Sequence, residues 1–408
     1  MKVESAKKSC SFCILPWIHL NVMPDSSVIP CCISPYDNIY GSGKNQNLDE
    51  IWNSDKFNEL RLRMLSGEKN EGCARCYELE SSGFRSMRLE MNEYFLKYLP
   101  LVNLTKEDGR LDEKKLKYID IRFSNLCNFK CRGCGPALSS SWYEDHQTLH
   151  QYKSNSKKFQ SIEINSPQFW KELQVHIPNA DVIYFGGGEP LITKEHYDIL
   201  TLLNNNSLYN IELRYNTNLS TLNYLNYDLT TLWSKFKKIS ISISIDEIEN
   251  RAEYFRHGTN WRKIEENIYR LINHHQHIEI FINCTVSIMN VLRIPTIFEY
   301  VTSKKFIKSN HFRINLLLDP IELRCDVLPA EIKKLAIIRL KKFIFKYSNS
   351  ELDLNFLLNE IKSIILFLEN EDRSNLVAQF KKHTQTLDQI RNENFIENFP
   401  ELAALFSN

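Results

Sequence analysis

Three cysteines fall within eight residues of one another: Cys127-Asn-Phe-Lys-Cys131-Arg-Gly-Cys134. Three thiolates on one tight loop suit three irons of a [4Fe–4S] cube, which normally takes four protein ligands. No fourth cysteine follows nearby, so one iron is left open to an outside ligand. A structural zinc ion asks for four closed ligands, usually in two pairs, and Cys-x3-Cys-x2-Cys is a different pattern.

The chain has eleven cysteines, and six of the others lie in the first 76 residues: Cys10, Cys13, Cys31, Cys32, Cys73 and Cys76. Short spacings of this kind, in a reducing compartment, read as metal or cluster ligands rather than disulfides. Four thiolates close a cube, and Cys-x2-Cys with two more cysteines also suits tetrahedral zinc. Cys284 and Cys325 stand alone and read as small core residues. The cluster His274-His275-Gln276-His277 reads as a solvated loop before a strand rather than as a metal site.

The elements that must hold these cysteines follow from the apolar pattern. Residues 1–95 are a small Cys-rich α+β region with turns at Pro24-Asp25 and Gly41-Ser42-Gly43 and a helix near Leu48–Leu65. Residues 96–117 are a polar linker. Over 118–320 short β-rich runs alternate with helix-length segments, with strands expected at 118–123, 181–185, 211–216, 239–245, 278–287 and 312–318. Six βα units in a row predict a parallel sheet in an open partial (β/α)6 barrel. Residues 321–408 form a helical cap, with helices expected over 332–347, 354–368 and 376–391.

Successive strand residues face opposite sides. Isoleucines alternate with Ser240, Ser242 and Ser244, and similar alternation sets Arg122, Arg214, Asn283, Arg313 and Asn315 on the face away from the helices. A packed barrel is filled with branched apolar side chains; a polar lumen is one that holds a ligand. These five residues are the candidates for substrate contact, with a structural lumen network as the other reading. Three inward arginines suit an extended polar or acidic substrate.

With the cysteine loop directly after the first strand of such a barrel, the chain resembles the radical S-adenosylmethionine (SAM) superfamily. Gly186-Gly187-Gly188-Glu189-Pro190 after the second strand looks like that family's Gly-Gly-Glu motif. The resemblance implies that the Gly187 and Gly188 backbone and the Glu189 carboxylate hold the SAM amino group. It implies that Asn216 and Asn218, and Ser244 and Asp246, bind the ribose and the methionine carboxylate, and that Arg256 meets that carboxylate. The family usually has an aromatic or large residue before its third cysteine. Here it is Gly133, which leaves the adenine contact to another residue, Phe129.

The N-terminal cysteines, in Phe12-Cys13-Ile-Leu-Pro16-Trp17, Ile29-Pro30-Cys31-Cys32 and Cys73-Ala-Arg-Cys76-Tyr77, resemble the Twitch domain, a shortened relative of the SPASM domain. Such domains bind auxiliary iron–sulfur clusters. The resemblance implies a second [4Fe–4S] cluster on Cys13, Cys31, Cys73 and Cys76, with Cys32 as the rival to Cys31. The segment from Phe380 to Arg391, with Phe399-Pro400-Glu401-Leu402 after it, is similar to the tail of Twitch-containing proteins.

What the resemblance implies is an enzyme that reductively cleaves SAM to a 5′-deoxyadenosyl radical and abstracts hydrogen from a substrate. Its cofactors are two [4Fe–4S] clusters and SAM, and its electron comes from an external reductant of the flavodoxin or ferredoxin type. Relatives with auxiliary clusters modify peptides by crosslink, thioether or epimerisation, so a precursor peptide is the expected substrate. The alternatives are radical chemistry on a sugar, nucleotide or other metabolite, and a non-enzymatic cysteine-rich binding protein on a degenerate barrel. With 51 basic and 50 acidic residues, bulk charge marks no nucleic-acid or membrane surface. No secretion signal or membrane span is read, so a cytoplasmic protein is expected.

Overall fold

The computed structural model describes residues 2–81, 83, 85–150, 158–275 and 277–406. Gln276 of the histidine cluster lies outside them. The chain forms two compact units whose bounds differ from the expected sequence segments: Met1–Asn125, Phe159–Tyr215 and Leu232–Ile239 make one, and the remainder makes the other. The architecture is mixed α/β with mostly parallel sheet.

In the first unit the strands are β1 (His19–Val22), β2 (Ser27–Ile29), β3 (Gly41–Ser42), β4 (Tyr118–Ile121), β5 (Val182–Phe185) and β6 (Glu212–Thr217). They lie in the order β3-β2-β1-β4-β5-β6. The N-terminal strands are antiparallel to one another, whereas β1, β4, β5 and β6 run parallel. The Cys-rich region therefore adds its strands to the barrel-type strands: His19 sits opposite Tyr118 and Asn21 opposite Asp120. Gly41-Ser42, expected as part of a turn, is a strand paired with β2.

The alternation works as expected. Ile119, Ile121, Ile183, Phe185, Leu213 and Tyr215 are buried on one face, each aliphatic or aromatic side chain contributing about 1.5–3 kcal/mol. The expected helix 48–65 is two helices, Leu48–Trp52 and Asp55–Ser66. Ser54 breaks it by capping the second, its hydroxyl accepting from the Phe57 N–H. The segment read as a polar linker is tied down. Leu99 and Val102 are buried in a 3-10 helix, Leu96–Leu104. Buried Arg61 donates to the carbonyls of Pro16 at 3.0 Å, Trp52 at 2.7 Å and Gly109 at 3.3 Å.

In the second unit β7 (Ile239–Ser244), β8 (Ile278–Val286) and β9 (Phe312–Leu316) follow one another, with β8 and β9 parallel. The isoleucines of β7 are buried and its serines half-buried. Helices Glu249–Phe255 and Trp261–His274 connect β7 to β8, and Ile294–Ser303 connects β8 to β9. The cap helices are Ala330–Tyr347, Asn355–Asn370 and Val377–Arg391. Cys284 and Cys325 are buried core residues, as expected. Among the described residues no helix is long and apolar enough to cross a membrane.

Candidate active site

The loop carrying Cys127, Cys131 and Cys134 is shaped by hydrogen bonds to its own carbonyls. Ser141 Oγ donates to the Cys127 carbonyl at 2.6 Å, Ser139 Oγ to that of Phe129 at 2.7 Å, and Trp142 Nε1 to that of Cys131 at 2.7 Å. Lys130-Cys131 also pairs antiparallel with Arg256-His257. Asn128 is bound to Ser220 and Asn218, each at 3.0 Å. The Ser139–Trp142 stretch follows the third cysteine closely, yet its role as a cradle was not read from the sequence.

Gly258 completes the cradle. Its φ is +103°, and a Cβ there would stand 2.9 Å from the Asn128 carbonyl oxygen and 3.2 Å from the Phe129 ring. Only glycine combines that dihedral with so close an approach. Gly133 has Leu317 over it, 3.2 Å from where its Cβ would lie, so a leucine occupies the space of the missing larger side chain.

Phe129, Asn218, Ser244 and Arg256 line one small pocket together with Ile245, Glu247, Ala252, Thr259, Trp261 and Ile264. Four expected SAM-binding residues thus converge; Glu247, Thr259 and Trp261 are additions. Arg256 is held at both ends: Nη2 is 2.7 Å from Oδ2 of Asp246, and Nη1 donates to Sγ of Cys131 at 3.6 Å. Asp246 Oδ1 also accepts from the Thr285 N–H at 2.8 Å. Oδ1 of Asn216 is buried with no hydrogen-bond partner among the described residues, an acceptor suited to a hydroxyl donor.

Burial raises the Cys131 and Cys134 thiols, Cys134 to about 12. The proximity of Cys131 adds to the rise at Cys134, while Arg256 opposes it at Cys131. Such thiols ionise together only with cationic metal among them, so the donor set fits an iron–sulfur cluster.

In the first unit, burial and then mutual proximity raise the thiols of Cys13, Cys31 and Cys73, the last two to about 12. Cys13 feels Cys73, Cys31 and Cys76. Cys32 differs: after burial, its largest influences are Asp120 and Arg122. These influences group Cys31 with Cys13, Cys73 and Cys76, a set whose thiol chemistry suits four cluster ligands. Among the described residues no three His, Cys, Asp or Glu side chains converge to the spacing of a single ion.

Glu189 is buried after β5 and accepts from the Leu191 N–H at 3.0 Å. Gly188 donates its N–H to the Ser124 carbonyl at 3.2 Å, and Gly187 has a φ of +97°.

Asn21, Asp120, Tyr184 and Arg214 form one row across β1, β4, β5 and β6. The Asp120 and Asn21 side chains are buried, and burial raises the Asp120 carboxyl while Arg122 and Asn21 oppose the rise. Arg122 is 3.6 Å from Asp120, and Arg214 is 2.5 Å from Glu212 with the Tyr94 ring 4.2 Å from its guanidinium carbon. Each arginine is thus paired with a carboxylate two residues earlier, and Lys238 Nζ shares Glu212 at 2.8 Å. In the second unit Asn315 donates to Asn283, and Arg313 lies over Phe281 and Phe356 at 5.4 and 4.7 Å.

Comparison with known proteins now bears on these residues. The model of the radical SAM superfamily matches residues 121–294, and that of SPASM, an iron–sulfur cluster-binding domain, matches residues 13–77. No curated protein matches significantly. Solved structures resemble the chain distantly. Native anSMEcpe with bound AdoMet and Cp18Cys peptide is 17% identical, with 56% of this chain and 59% of that one covered and a TM-score of 0.37. Streptococcus suis SuiB bound to S-adenosylmethionine is 13% identical, with coverage of 81% and 69% and a TM-score of 0.37. SuiB bound to its precursor peptide SuiA is 12% identical, with 81% and 71% covered and a TM-score of 0.38. The chain spans 59% of the length of the first of these.

Proposed function

We propose that this chain, a radical SAM protein with a SPASM iron–sulfur domain ahead of its radical SAM domain, oxidises a peptide side chain by hydrogen abstraction. When bound, a reduced [4Fe–4S] cluster and SAM supply the electron and the deoxyadenosyl group that takes the hydrogen atom. Cys127, Cys131 and Cys134 would hold that cluster. Phe129, Asn216, Asn218, Ser244 and Asp246 would hold the nucleoside and methionyl parts of SAM, and Gly187, Gly188 and Glu189 its amino group. Cys13, Cys31, Cys73 and Cys76 would hold a second cluster.

The observation that carries this reading is Arg256. It lines the pocket shared by Phe129, Asn218 and Ser244, and it donates to the Cys131 sulfur. One guanidinium therefore joins the lining that holds Phe129, Asn218 and Ser244 to the Cys131 thiol. Trp261, Ile264 and Ala252 keep that lining apolar and exclude water from it.

The peptide reading is supported by the row Asn21, Asp120, Tyr184 and Arg214. It begins on a strand of the Cys-rich region and continues onto the barrel-type strands. The amide, carboxylate, phenol and guanidinium of this row are donors and acceptors of the kind that pair with peptide units. The net change would be loss of two hydrogens: one atom to deoxyadenosine, one proton to solvent and one electron to an acceptor, which a second cluster on Cys13, Cys31, Cys73 and Cys76 would supply. An external one-electron reductant starts the cycle.

The test is anaerobic reconstitution, iron and sulfide analysis, and assay of deoxyadenosine with dithionite. Deoxyadenosine release that stops in Cys131→Ala, and a peptide that loses two mass units only with SAM, are the expected results. SAM cleavage that persists in Cys131→Ala overturns the assignment. A sugar or nucleotide modified in the peptide's place overturns the substrate class alone.

A further inference from the structure

The cysteine loop is gripped by the end of the last cap helix. Arg132, between Cys131 and Cys134, is fully buried. Its Nη2 lies 2.5 Å from Oδ1 of Asp388 and 2.6 Å from Oε2 of Glu393. Its guanidinium carbon sits 3.8 Å from the Tyr254 ring, whose hydroxyl donates to the same Asp388 oxygen at 2.8 Å.

A second connection runs in parallel. Arg391 Nε is 2.9 Å from Oδ2 of Asp145, and Oδ1 of Asp145 is 3.0 Å from Nζ of Lys130. The Arg391 guanidinium lies 4.6 Å over the Trp142 ring, and Trp142 holds the Cys131 carbonyl. Glu393 also binds His257 Nδ1 at 2.6 Å, and His257 pairs with Lys130 in the short ladder. Asp388, Arg391 and Glu393 thus reach the loop through Arg132, Lys130 and Trp142.

The two arginines are not fully used. Nε and Nη1 of Arg132, and Nη1 and Nη2 of Arg391, are buried without a hydrogen-bond partner among the described residues. Buried guanidinium N–H groups are costly to leave unmade. Their positive ends are retained beside a loop whose three thiols fit an anionic cluster.

We propose that Arg391 and Asp145 are positioning residues that set the reduction potential of the cluster held by Cys127, Cys131 and Cys134, with the segment Asp388–Glu393 fixing the loop from behind. This rests on the reading of that loop as the cluster site. Reduction adds one electron, drawn from the external one-electron reductant, and breaks no bond. Positive charge behind the loop favours the reduced, more anionic state, and negative charge opposes it. Arg391 and Asp145 form a matched pair of opposite sign, so their removal must shift the potential in opposite directions.

The experiment is a redox titration of the anaerobically reconstituted enzyme followed by electron paramagnetic resonance. The signal followed is the one that changes on adding SAM, and iron is counted in every sample. Arg391→Gln should lower the midpoint potential, Asp145→Asn should raise it, and Arg391→Lys should stay near wild type. Potentials that move the same way in Arg391→Gln and Asp145→Asn, or do not move, overturn the proposal. If Arg391→Gln loses its iron, Asp145→Asn and Arg391→Lys decide by the same signs; loss of iron in all three leaves only a structural clamp and also overturns it. Wild-type enzyme without a SAM-sensitive signal would instead overturn the cluster-site reading itself.

Discussion

Asp246 and Arg256 form a buried ion pair, Oδ2 to Nη2 at 2.7 Å, and the same guanidinium reaches the Cys131 sulfur. The carboxylate lies just past the end of β7 and the arginine just after the helix Glu249–Phe255. Asp246 is buried and Arg256 partly exposed, so losing the arginine leaves the carboxylate short of its partner. Arg256→Met should destabilise the fold by about 1–3 kcal/mol, the usual effect of leaving a buried polar group unsatisfied. It should also weaken SAM binding by at least tenfold. Thermal unfolding and equilibrium dialysis measure the two separately. Unchanged SAM affinity in a folded, iron-loaded variant would remove Arg256 from the site.

The separation of Cys31 from Cys32 has a direct readout. Besides burial, the Cys31 thiol is raised by Cys73 and Cys76, whereas Cys32 is influenced most, after burial, by Asp120 and Arg122. Two cubes predict about eight irons per chain. Cys31→Ser should reduce that to about four, whereas Cys32→Ser should leave it unchanged. The reverse pattern would reassign the fourth ligand.

Gly258→Ala should harm the cysteine loop without touching a ligand. The new methyl would meet the Asn128 carbonyl at 2.9 Å in a backbone conformation that alanine avoids. The expected cost is about 1–3 kcal/mol of strain. Iron content at the three-cysteine site should fall while the four-cysteine site stays loaded. Full loading of both, with normal SAM affinity, would contradict the close approach.

His196 makes the first unit sensitive to mild acid. Its ring is buried, Nε2 is 3.0 Å from the Tyr215 hydroxyl, and burial lowers its pKa to about 3. Between pH 3 and 6.5 the unfolded chain binds a proton that the folded chain refuses, so stability rises with pH there and is lost as pH falls below about 6.5. The limiting slope is about 1.4 kcal/mol per pH unit for this one group. His196→Gln should flatten the dependence of the melting temperature between pH 5 and 7. An unchanged slope would mean that His196 is protonated in the fold.

The sequence was informative where periodicity reports burial. The alternation of isoleucine with Ser240, Ser242 and Ser244 gave both the strand and its two faces, and the structure has β7 at Ile239–Ser244. All six expected strands of the 118–320 region are present, with no end shifted by more than two residues. The single helix over 48–65 failed at Asn53-Ser54, because a serine hydroxyl can cap a new helix as readily as it can ride on an old one. The pairing of β1 with β4 was invisible: four-residue strands almost a hundred positions apart leave no local pattern. The grip of Asp388, Arg391 and Glu393 was hidden for another reason. Charged residues spaced along a helix look solvated until a buried partner such as Arg132 is seen.

The parallel pairing of β1 with β4 bears on where the chain can be cut. A fragment beginning at Tyr118 would keep every cysteine of the three-cysteine loop, yet β4 would lose the neighbour that covers its N–H and C=O groups. It would offer a bare edge bearing Asp120, a ready template for strands of other molecules. Such a fragment should aggregate rather than behave as a minimal enzyme. The Cys-rich region is therefore an inseparable margin of the catalytic sheet, and protein engineering that swaps it for another domain must carry His19–Val22 along or supply a strand in its place.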